Sequence, residues 1–193
     1  MGETARPASV TMVREDIEDI PAFTLPKPYR FRTYKPGDEE TWYRIWTLAD
    51  QEYRAVNPNT FAENFGHDIK ALAARQFYVC DAKGDAIGTA SAWFREDYKG
   101  KPWGLVHWVA IVPEAQGKGL AKPLMTHIMR RLKKLGHPRA MLVTQPYRVR
   151  AIKIYLDFGF TPDLMSEIAF VAWRQVRDAL GQSVLDEMDL GDR

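Results

Sequence analysis

Residues 103–136 read WGLVHWVAIVPEAQGKGLAKPLMTHIMRRLKKLG, and this stretch decides the fold. Its first third is apolar and rich in aromatic and β-branched residues, which predicts a strand over residues 103–112. A helical pattern runs from about Gly117 to Leu135 and stops at Gly136, with Pro138 just beyond, as helix ends often do. The stretch therefore predicts a strand, a turn with two glycines and a long helix.

The turn between this strand and this helix has the properties of an anion-binding site. The first backbone N–H groups of a helix lack intrahelical acceptors and lie at the positive end of the helix dipole. Gly117 and Gly119 have no Cβ, so a ligand can approach the backbone closely and a positive φ is allowed. Lys118 adds a positive charge. The turn therefore predicts binding of a phosphate or pyrophosphate.

Two better-known glycine loops do not fit this turn. The P-loop pattern has a lysine and then serine or threonine after its last glycine, whereas Leu120 follows Gly119. The dinucleotide fingerprint G-x-G-x-x-G requires a third glycine, and Lys122 stands at that position. The turn therefore indicates another class of phosphate-bearing ligand.

Two segments of the chain resemble those of the GCN5-related N-acetyltransferases. The first is QGKGLA at residues 116–121, which fits the Q-x-x-G-x-A pattern of that family's acetyl-CoA-binding segment. It follows the apolar run at residues 109–112, as in the family. The second is AIKIYLDFGF at residues 151–160, which is similar to the family's A-x-x-x-Y-x-x-x-G-F segment. The two segments stand in the family's order, which makes the resemblance more specific than either alone.

The resemblance covers roughly residues 29–160 and implies an acyl-CoA N-acyltransferase fold. That fold is mixed α/β, with a central, mostly antiparallel sheet flanked by helices. The implied activity is N-acetyl transfer from acetyl-CoA, as cosubstrate, to an amine of a small molecule by direct attack. The pantetheine arm would lie along the strand as an added strand does, and the turn would hold the pyrophosphate. The implied coenzyme-binding residues are Val109, Ala110, Ile111, Gln116, Gly117, Lys118, Gly119, Leu120, Ala121 and Lys122.

The resemblance also suggests catalytic residues. Tyr155 stands where the family's usual acid stands, so its hydroxyl could donate a proton to the departing thiolate; the alternative is a half-buried packing aromatic. His107 is the candidate base, since an imidazole titrates near neutrality, although a structural histidine is the commoner case in a strand. Strand alternation predicts that it shares a face with Val109 and Ile111. Glu96 and Asp97, at the end of the preceding strand, are rival bases or simply turn residues.

One position departs from the family pattern. Many members have an asparagine seven residues before the tyrosine, where this chain has Arg148. Arg148 and Arg150 would contact the phosphates of the coenzyme instead, or lie solvated at a helix start. The four histidines lack ligand spacing, so we expect no metal site. Cys80 lies in an apolar strand, where a thiol is usually inert.

Composition limits the class of protein. The chain has 193 residues, a net charge of +2 and 46% hydrophobic residues, which suits one domain with an added arm or two. So small a charge does not suggest nucleic acid or a membrane surface as a partner. No apolar run approaches the roughly 18 residues of a membrane span, and no signal-peptide core is present. Because Cys80 is the only cysteine, we expect a cytoplasmic protein without intrachain disulfides.

The order of elements along the chain predicts one mixed α/β domain. Strands are expected at 29–34, 77–81, 86–96, 103–112 and 139–144, and helices at 38–53, 61–75, 117–135 and 148–158. We divide the chain into an irregular N-terminal arm, the N-acetyltransferase domain and an extra C-terminal helical tail, at residues 1–28, 29–164 and 165–193. No strand is evident after Phe160, and the tail would cover the sheet or pair two subunits.

The region between the first strand and the meander is rich in aromatic residues. In the resembled fold this region selects the acceptor, so these rings could line a cavity for an apolar or cationic amine. Core packing explains the same aromatic residues and is the favoured interpretation. The aromatic residues are Trp42, Tyr43, Trp46, Tyr53, Phe61 and Phe65.

Two other functions stay open at this point. One is a non-catalytic acyl-CoA-binding or regulatory module with the same fold. The other is a structural or interaction protein in which the turn at Gly117 is only a helix start. The expected partner is a small-molecule amine, and a homodimer is a reasonable default for a chain with an added helix.

Overall fold

The computed structural model describes residues 9–51, 56–165 and 167–180. They form two compact units: one spans residues 17–138, and the other combines residues up to 16 with those from 139 onward. The strand pairings within each unit are antiparallel, and helices accompany the strands. The predicted mixed α/β class is therefore confirmed. None of the described helices is long and apolar enough to cross a membrane.

The strands and helices are numbered in chain order. The strands are β1 (Val10–Arg14), β2 (Arg30–Thr33), β3 (Gln76–Cys80), β4 (Ala86–Tyr98), β5 (Lys101–Ile111), β6 (Ala140–Thr144) and β7 (Thr161–Pro162). The helices are α1 (Asp38–Ala49), α2 (Thr60–Phe65), α3 (Ile69–Arg75), α4 (Ala121–Lys134), α5 (Val149–Asp157) and α6 (Glu167–Leu180). A single 3₁₀ turn, Pro113–Ala115, precedes α4.

The larger unit contains the predicted meander. Its strands run in the order β2-β3-β4-β5, with β3 buried along its whole length. Lys99 and Gly100 join β4 to β5 with positive φ values of 56° and 72°, the conformation of a tight hairpin turn. Gly66, at a φ of 65°, ends α2 and separates it from α3, so the helix expected over residues 61–75 is divided in two.

The long helix starts later than the sequence suggests. It begins at Ala121 and not near Gly117, because Gly117 and Gly119 have φ values of 74° and 72°, which a right-handed helix does not allow. It ends at Lys134, and Gly136 follows at a φ of 86°, as predicted. Helix α1 ends at Ala49 and a turn follows at Asp50 and Gln51, so the predicted helix is too long. The rest of the predicted extension, to Tyr53, lies outside the described residues.

The smaller unit corrects two expectations. Its strands run in the order β6-β1-β7, so residues 10–14 of the expected irregular arm form a strand between two others. Val10 and Met12 are fully buried there. The partner β6 is far along the sequence, so no hairpin signal announces β1. A strand also follows Phe160, but it has two residues, too few for a periodic pattern.

The predicted helical tail is present as α6. Trp173 and Val176 on this helix are fully buried, and α6 packs against α5 and β1 of the same unit. The part of the predicted tail beyond Leu180 lies outside the described residues. The division into arm, domain and tail at residues 28 and 164 stays a prediction.

Candidate active site

The glycine turn before α4 is open on its outer side. A Cβ added at Gly117 or Gly119 would meet nothing within 4 Å, so a ligand could lie directly against this backbone. The side-chain amide of Gln116 donates to the carbonyl oxygen of Ile111 at 3.0 Å, which holds the turn against the end of β5. Among the described residues, no side chain caps the helix at Leu120. The first amides of α4 are therefore available to an anion, as predicted for a phosphate site.

The burial of this segment agrees with a backbone site. Residues 116–119 are exposed, whereas Leu120 is only 2% exposed and anchors the start of the helix in the core. Lys118 is exposed within the turn. The turn thus combines a buried anchor, accessible amides and a cation.

A segment that we call the strap, residues 17–23, follows α4 from its end to its beginning. The Ile17 amide donates to the Pro138 oxygen at 3.2 Å, beyond the end of the helix. The Phe23 amide donates to Thr126 Oγ1 at 3.2 Å in the first half of α4, and Lys122 Nζ lies 5.1 Å from the centre of the Phe23 ring. The strap thus brings an aromatic ring beside the first turn of α4, which sequence reasoning missed.

Strand β5 contains a bulge beside the candidate base. Ser91 of β4 pairs with His107, but Thr89 pairs with Ala110, so β5 has one extra residue between them. Trp108 within the bulge has a φ of 50°. His107 therefore shares a face with Ala110, and the prediction that it shares one with Val109 and Ile111 is wrong, because alternation holds only for a regular strand.

His107 lies among aromatic rings. Its ring centre is 5.5 Å from that of Phe65 and 5.7 Å from that of Trp108. Burial, and secondarily the nearby Arg95 cation, lowers the pKa of His107 to about 3. The imidazole is therefore neutral at physiological pH and holds a proton only weakly.

The rival base Asp97 serves the hairpin turn. Its Oδ1 atom accepts a hydrogen bond from the Gly100 amide at 2.9 Å. Glu96 and Asp97 are both exposed. This arrangement agrees with the turn interpretation of both residues.

The predicted acceptor region forms a continuous set of rings, which we call the aromatic cluster. Trp42 lies 5.0 Å from Trp108, and Phe65 lies 5.2 Å from Trp93, between ring centres. The cluster consists of Trp42, Trp46, Phe61, Phe65, Trp93, His107 and Trp108. Those of its members that lie in α1 and α2 are at most 4% exposed, which supports the packing interpretation. Tyr53 lies outside the described residues.

Tyr155 belongs to α5 of the smaller unit. It is 8% exposed, and its ring centre lies 6.4 Å from that of Phe160. Burial raises the pKa of Tyr155 to about 12, so the phenol keeps its proton, as an acid must. Gly159 has a φ of 74°, and Arg14 Nη1 donates to the adjacent Phe158 oxygen at 2.5 Å. The glycine of the second motif thus has a structural reason.

Strand, glycine turn and helix together have the arrangement expected of an acyl-CoA N-acyltransferase fold. Residues 41–160 match the model of the Acetyltransferase (GNAT) family. The chain therefore belongs to this family.

Relatives agree with this membership. The chain is 27% identical over 176 residues to a mycothiol acetyltransferase of Thermobispora bispora, a match that covers 83% of this chain and 56% of the relative. A mycothiol acetyltransferase of Thermomonospora curvata is 28% identical over 173 residues, covering 81% and 53%. The chain thus spans about half the length of the curated relatives it matches.

Solved structures show the same fold. A GCN5-related N-acetyltransferase from Sphaerobacter thermophilus aligns with a TM-score of 0.62 at 19% identity, over 82% of this chain and 50% of that one. The ribosomal-protein-S18-alanine N-acetyltransferase from Escherichia coli aligns with a TM-score of 0.54 at 21% identity, over 69% and 77%. These likenesses establish the fold.

Proposed function

We propose that this chain transfers the acetyl group of acetyl-CoA to an amine of a small molecule. The observation that carries the proposal is the open, uncapped glycine turn at the start of α4. Membership of the GNAT family supports the same activity. The turn, residues 116–122, binds the pyrophosphate, and the backbone of Val109–Ile111 binds the pantetheine arm.

The reaction needs an unprotonated amine. Its nitrogen attacks the thioester carbonyl, the C–N bond forms, the C–S bond breaks, and the thiolate leaves. Tyr155 donates a proton to that thiolate. The nitrogen then loses its proton either to His107, our candidate base, or to solvent water.

The low pKa of His107 constrains its role. An imidazole with a pKa of about 3 cannot take a proton efficiently near neutral pH, because base catalysis works best when the pKa lies near the working pH. His107 therefore serves best as a hydrogen-bond acceptor, which orients an amine that arrives in its neutral form. The variant His107→Ala tests this: kcat/KM should fall while the pH–rate profile keeps the shape of the wild type, and a profile of changed shape would make His107 the base.

The coenzyme site can be tested by thermal unfolding with and without acetyl-CoA. Acetyl-CoA at 100 times its Kd should stabilise the native state by about 2.7 kcal/mol. Gly119→Glu places a carboxylate where the pyrophosphate binds and should abolish the rise in midpoint. Gly136→Glu is the matched control. Gly136 follows the other end of α4 with a similar positive φ and equally open surroundings, so this variant should keep the rise in midpoint with acetyl-CoA.

The outcomes separate cleanly. A rise in the wild type and in Gly136→Glu, but not in Gly119→Glu, supports the coenzyme site at this turn. If millimolar acetyl-CoA raises no midpoint in the wild type, the acetyltransferase proposal fails. An equal rise in all three proteins would place the coenzyme elsewhere.

A second candidate function is a non-catalytic acyl-CoA-binding or regulatory module. The low pKa of the one candidate base within β5 favours it. Turnover of any amine in a panel, measured by release of free thiol, would decide against this module.

We also propose a homodimer in the cytoplasm. Helix α6 exposes the apolar side chains of Ile168 and Val171, which are 68% and 49% exposed, and Met165 before it is 73% exposed. The single cysteine, Cys80, is a buried free thiol, as suits a reducing compartment. Sedimentation equilibrium tests the dimer, which Ile168→Glu should dissociate.

A further inference from the structure

Four side chains in or beside the aromatic cluster carry buried polar atoms that no described residue satisfies. They are both amide atoms of Gln76, Oγ of Ser91, and the Nε1 atoms of Trp42 and Trp108. Gln76, Ser91 and Trp42 are completely buried. Native proteins leave few buried polar groups without a partner, because each one destabilises the fold. So many in one place require an explanation.

These groups lie together on one face of the sheet. Gln76 is the register partner of Ser91, and Ser91 is the register partner of His107, so their side chains point to the same side. Trp42 and Trp108 cover that side with ring centres 5.0 Å apart. The unsatisfied atoms therefore adjoin the candidate reaction centre at His107.

The surroundings of these groups carry no negative charge that acts on His107. The charged group that shifts its pKa is Arg95, a cation, and no carboxylate among the described residues contributes. A polycationic amine would have to lose its hydration here without a counter-charge, which is unfavourable. Uncharged polar groups match this place better.

We propose that Gln76, Ser91 and the two indole N–H groups bind the hydroxyl groups of the acetyl acceptor, and that this acceptor is a monoamine of the amino-sugar type. The inference rests on the proposed acetyltransferase function. An indole N–H only donates, whereas the amide of Gln76 and the hydroxyl of Ser91 both donate and accept. A hydroxyl group donates and accepts hydrogen bonds, so hydroxyl groups can pair with all of them. The aromatic rings pack against the apolar faces of a sugar ring.

Access requires a movement of side chains. The unsatisfied atoms are shut off from solvent, but Trp93 and Trp108 at the edge of the cluster are only half-buried. Their rings turn aside when the acceptor enters, a scale of change that is common on binding.

Two ring amines that differ in their hydroxyls test the proposal: glucosamine and cyclohexylamine. We expect the wild type to prefer glucosamine in kcat/KM by about tenfold or more. Gln76→Met and Ser91→Ala should each reduce this preference about three- to tenfold, the effect of one lost hydrogen bond, by lowering kcat/KM for glucosamine more than kcat/KM for cyclohexylamine. Ser91→Ala removes a single atom and keeps the test valid if Gln76→Met fails to fold.

Thr89→Val is the matched control. Thr89 is buried on the same strand face, but its hydroxyl already donates to the Phe77 oxygen at 3.1 Å. Its loss should lower the thermal midpoint and leave the ratio of the two amines unaltered. A change of the ratio in Thr89→Val equal to that in Ser91→Ala would overturn the inference.

Other outcomes also decide. Equal kcat/KM for both ring amines, or a preference that neither variant changes, overturns the inference while the acetyltransferase function stands; the buried atoms would then be satisfied by water. A higher kcat/KM for the polyamine spermidine than for glucosamine also overturns the inference and leaves the acetyltransferase function standing. No turnover of any of the three amines, together with no rise in midpoint by acetyl-CoA, overturns the proposed function itself.

Discussion

At the scale of single residues, Trp108 explains why one prediction failed. A bulky side chain at a φ of 50° is rare and destabilises the backbone by about 1–2 kcal/mol. Contacts with Trp42 and Trp46, at ring distances of 5.0 Å and 4.7 Å, offset this strain. The residues around Trp108 have the pattern of a regular strand, so the sequence alone could not locate the bulge that changes the face His107 shares.

Tyr155 allows a prediction at the same scale. Tyr155→Phe removes the proposed acid and keeps the ring, so kcat should fall roughly 100-fold while the KM for acetyl-CoA stays within about twofold. Steady-state kinetics with the best amine measures both. Since the ring packing against Phe160 is kept, the thermal midpoint should change little. An unchanged kcat would make Tyr155 a packing residue, the alternative that its sequence position left open.

At the scale of elements, β1 tests the corrected N-terminal region. Met12 is fully buried in this central strand, so Met12→Ala should lower the free energy of unfolding by about 2–4 kcal/mol. Urea unfolding followed by circular dichroism measures it. Met165→Ala is the same change at a side chain that is 73% exposed, and should have an effect below about 0.5 kcal/mol. Equal, small effects at both positions would mean that residues 10–14 do not form a buried strand.

The strap along α4 provides another prediction for an element. Thr126 Oγ1 accepts from the Phe23 amide at 3.2 Å and donates to the Pro21 oxygen at 2.8 Å, and Thr126 is 2% exposed. Thr126→Val leaves both backbone groups without this partner and should destabilise the protein by about 1–3 kcal/mol in the same unfolding experiment. Thr126→Ser keeps the hydroxyl, so its free energy of unfolding should fall clearly less. If Thr126→Ser is the less stable of the two variants, the hydroxyl of Thr126 does not hold the strap.

At the scale of the whole molecule, local signals were predictable and distant pairings were not. The meander, the glycine turn and the end of α4 follow from residues that are close in sequence, such as Gly119 and Gly136. Strand β1 pairs with β6 more than 120 residues away, for instance Val10 with Thr144, and no local pattern records that. The candidate site divides in the same way: the turn is visible in the sequence, whereas the set of Gln76, Ser91 and Trp108 depends on register.

The acid stability of the whole molecule depends on its half-buried histidines. Burial comes first, and nearby arginines second, among the causes that lower the pKa values of His107, His127 and His137. Between the unfolded pKa of about 6.5 and the lower native values, the unfolded chain binds more protons than the native protein. Stability is therefore greatest above pH 6.5 and falls as the pH decreases.

The largest single contribution should come from His107, whose native pKa is about 3. Between pH 7 and pH 4.5 it should account for a loss of roughly 2–3 kcal/mol in the free energy of unfolding. His107→Gln should therefore show a smaller loss over this range by that amount, whatever its stability at pH 7, as measured by urea unfolding at both pH values. The same replacement at the exposed His67 controls for the loss of an imidazole and should leave the difference between the two pH values as in the wild type. If His107→Gln keeps the full loss, the ring is not held neutral among the aromatic rings, and the aromatic cluster must admit water beside it.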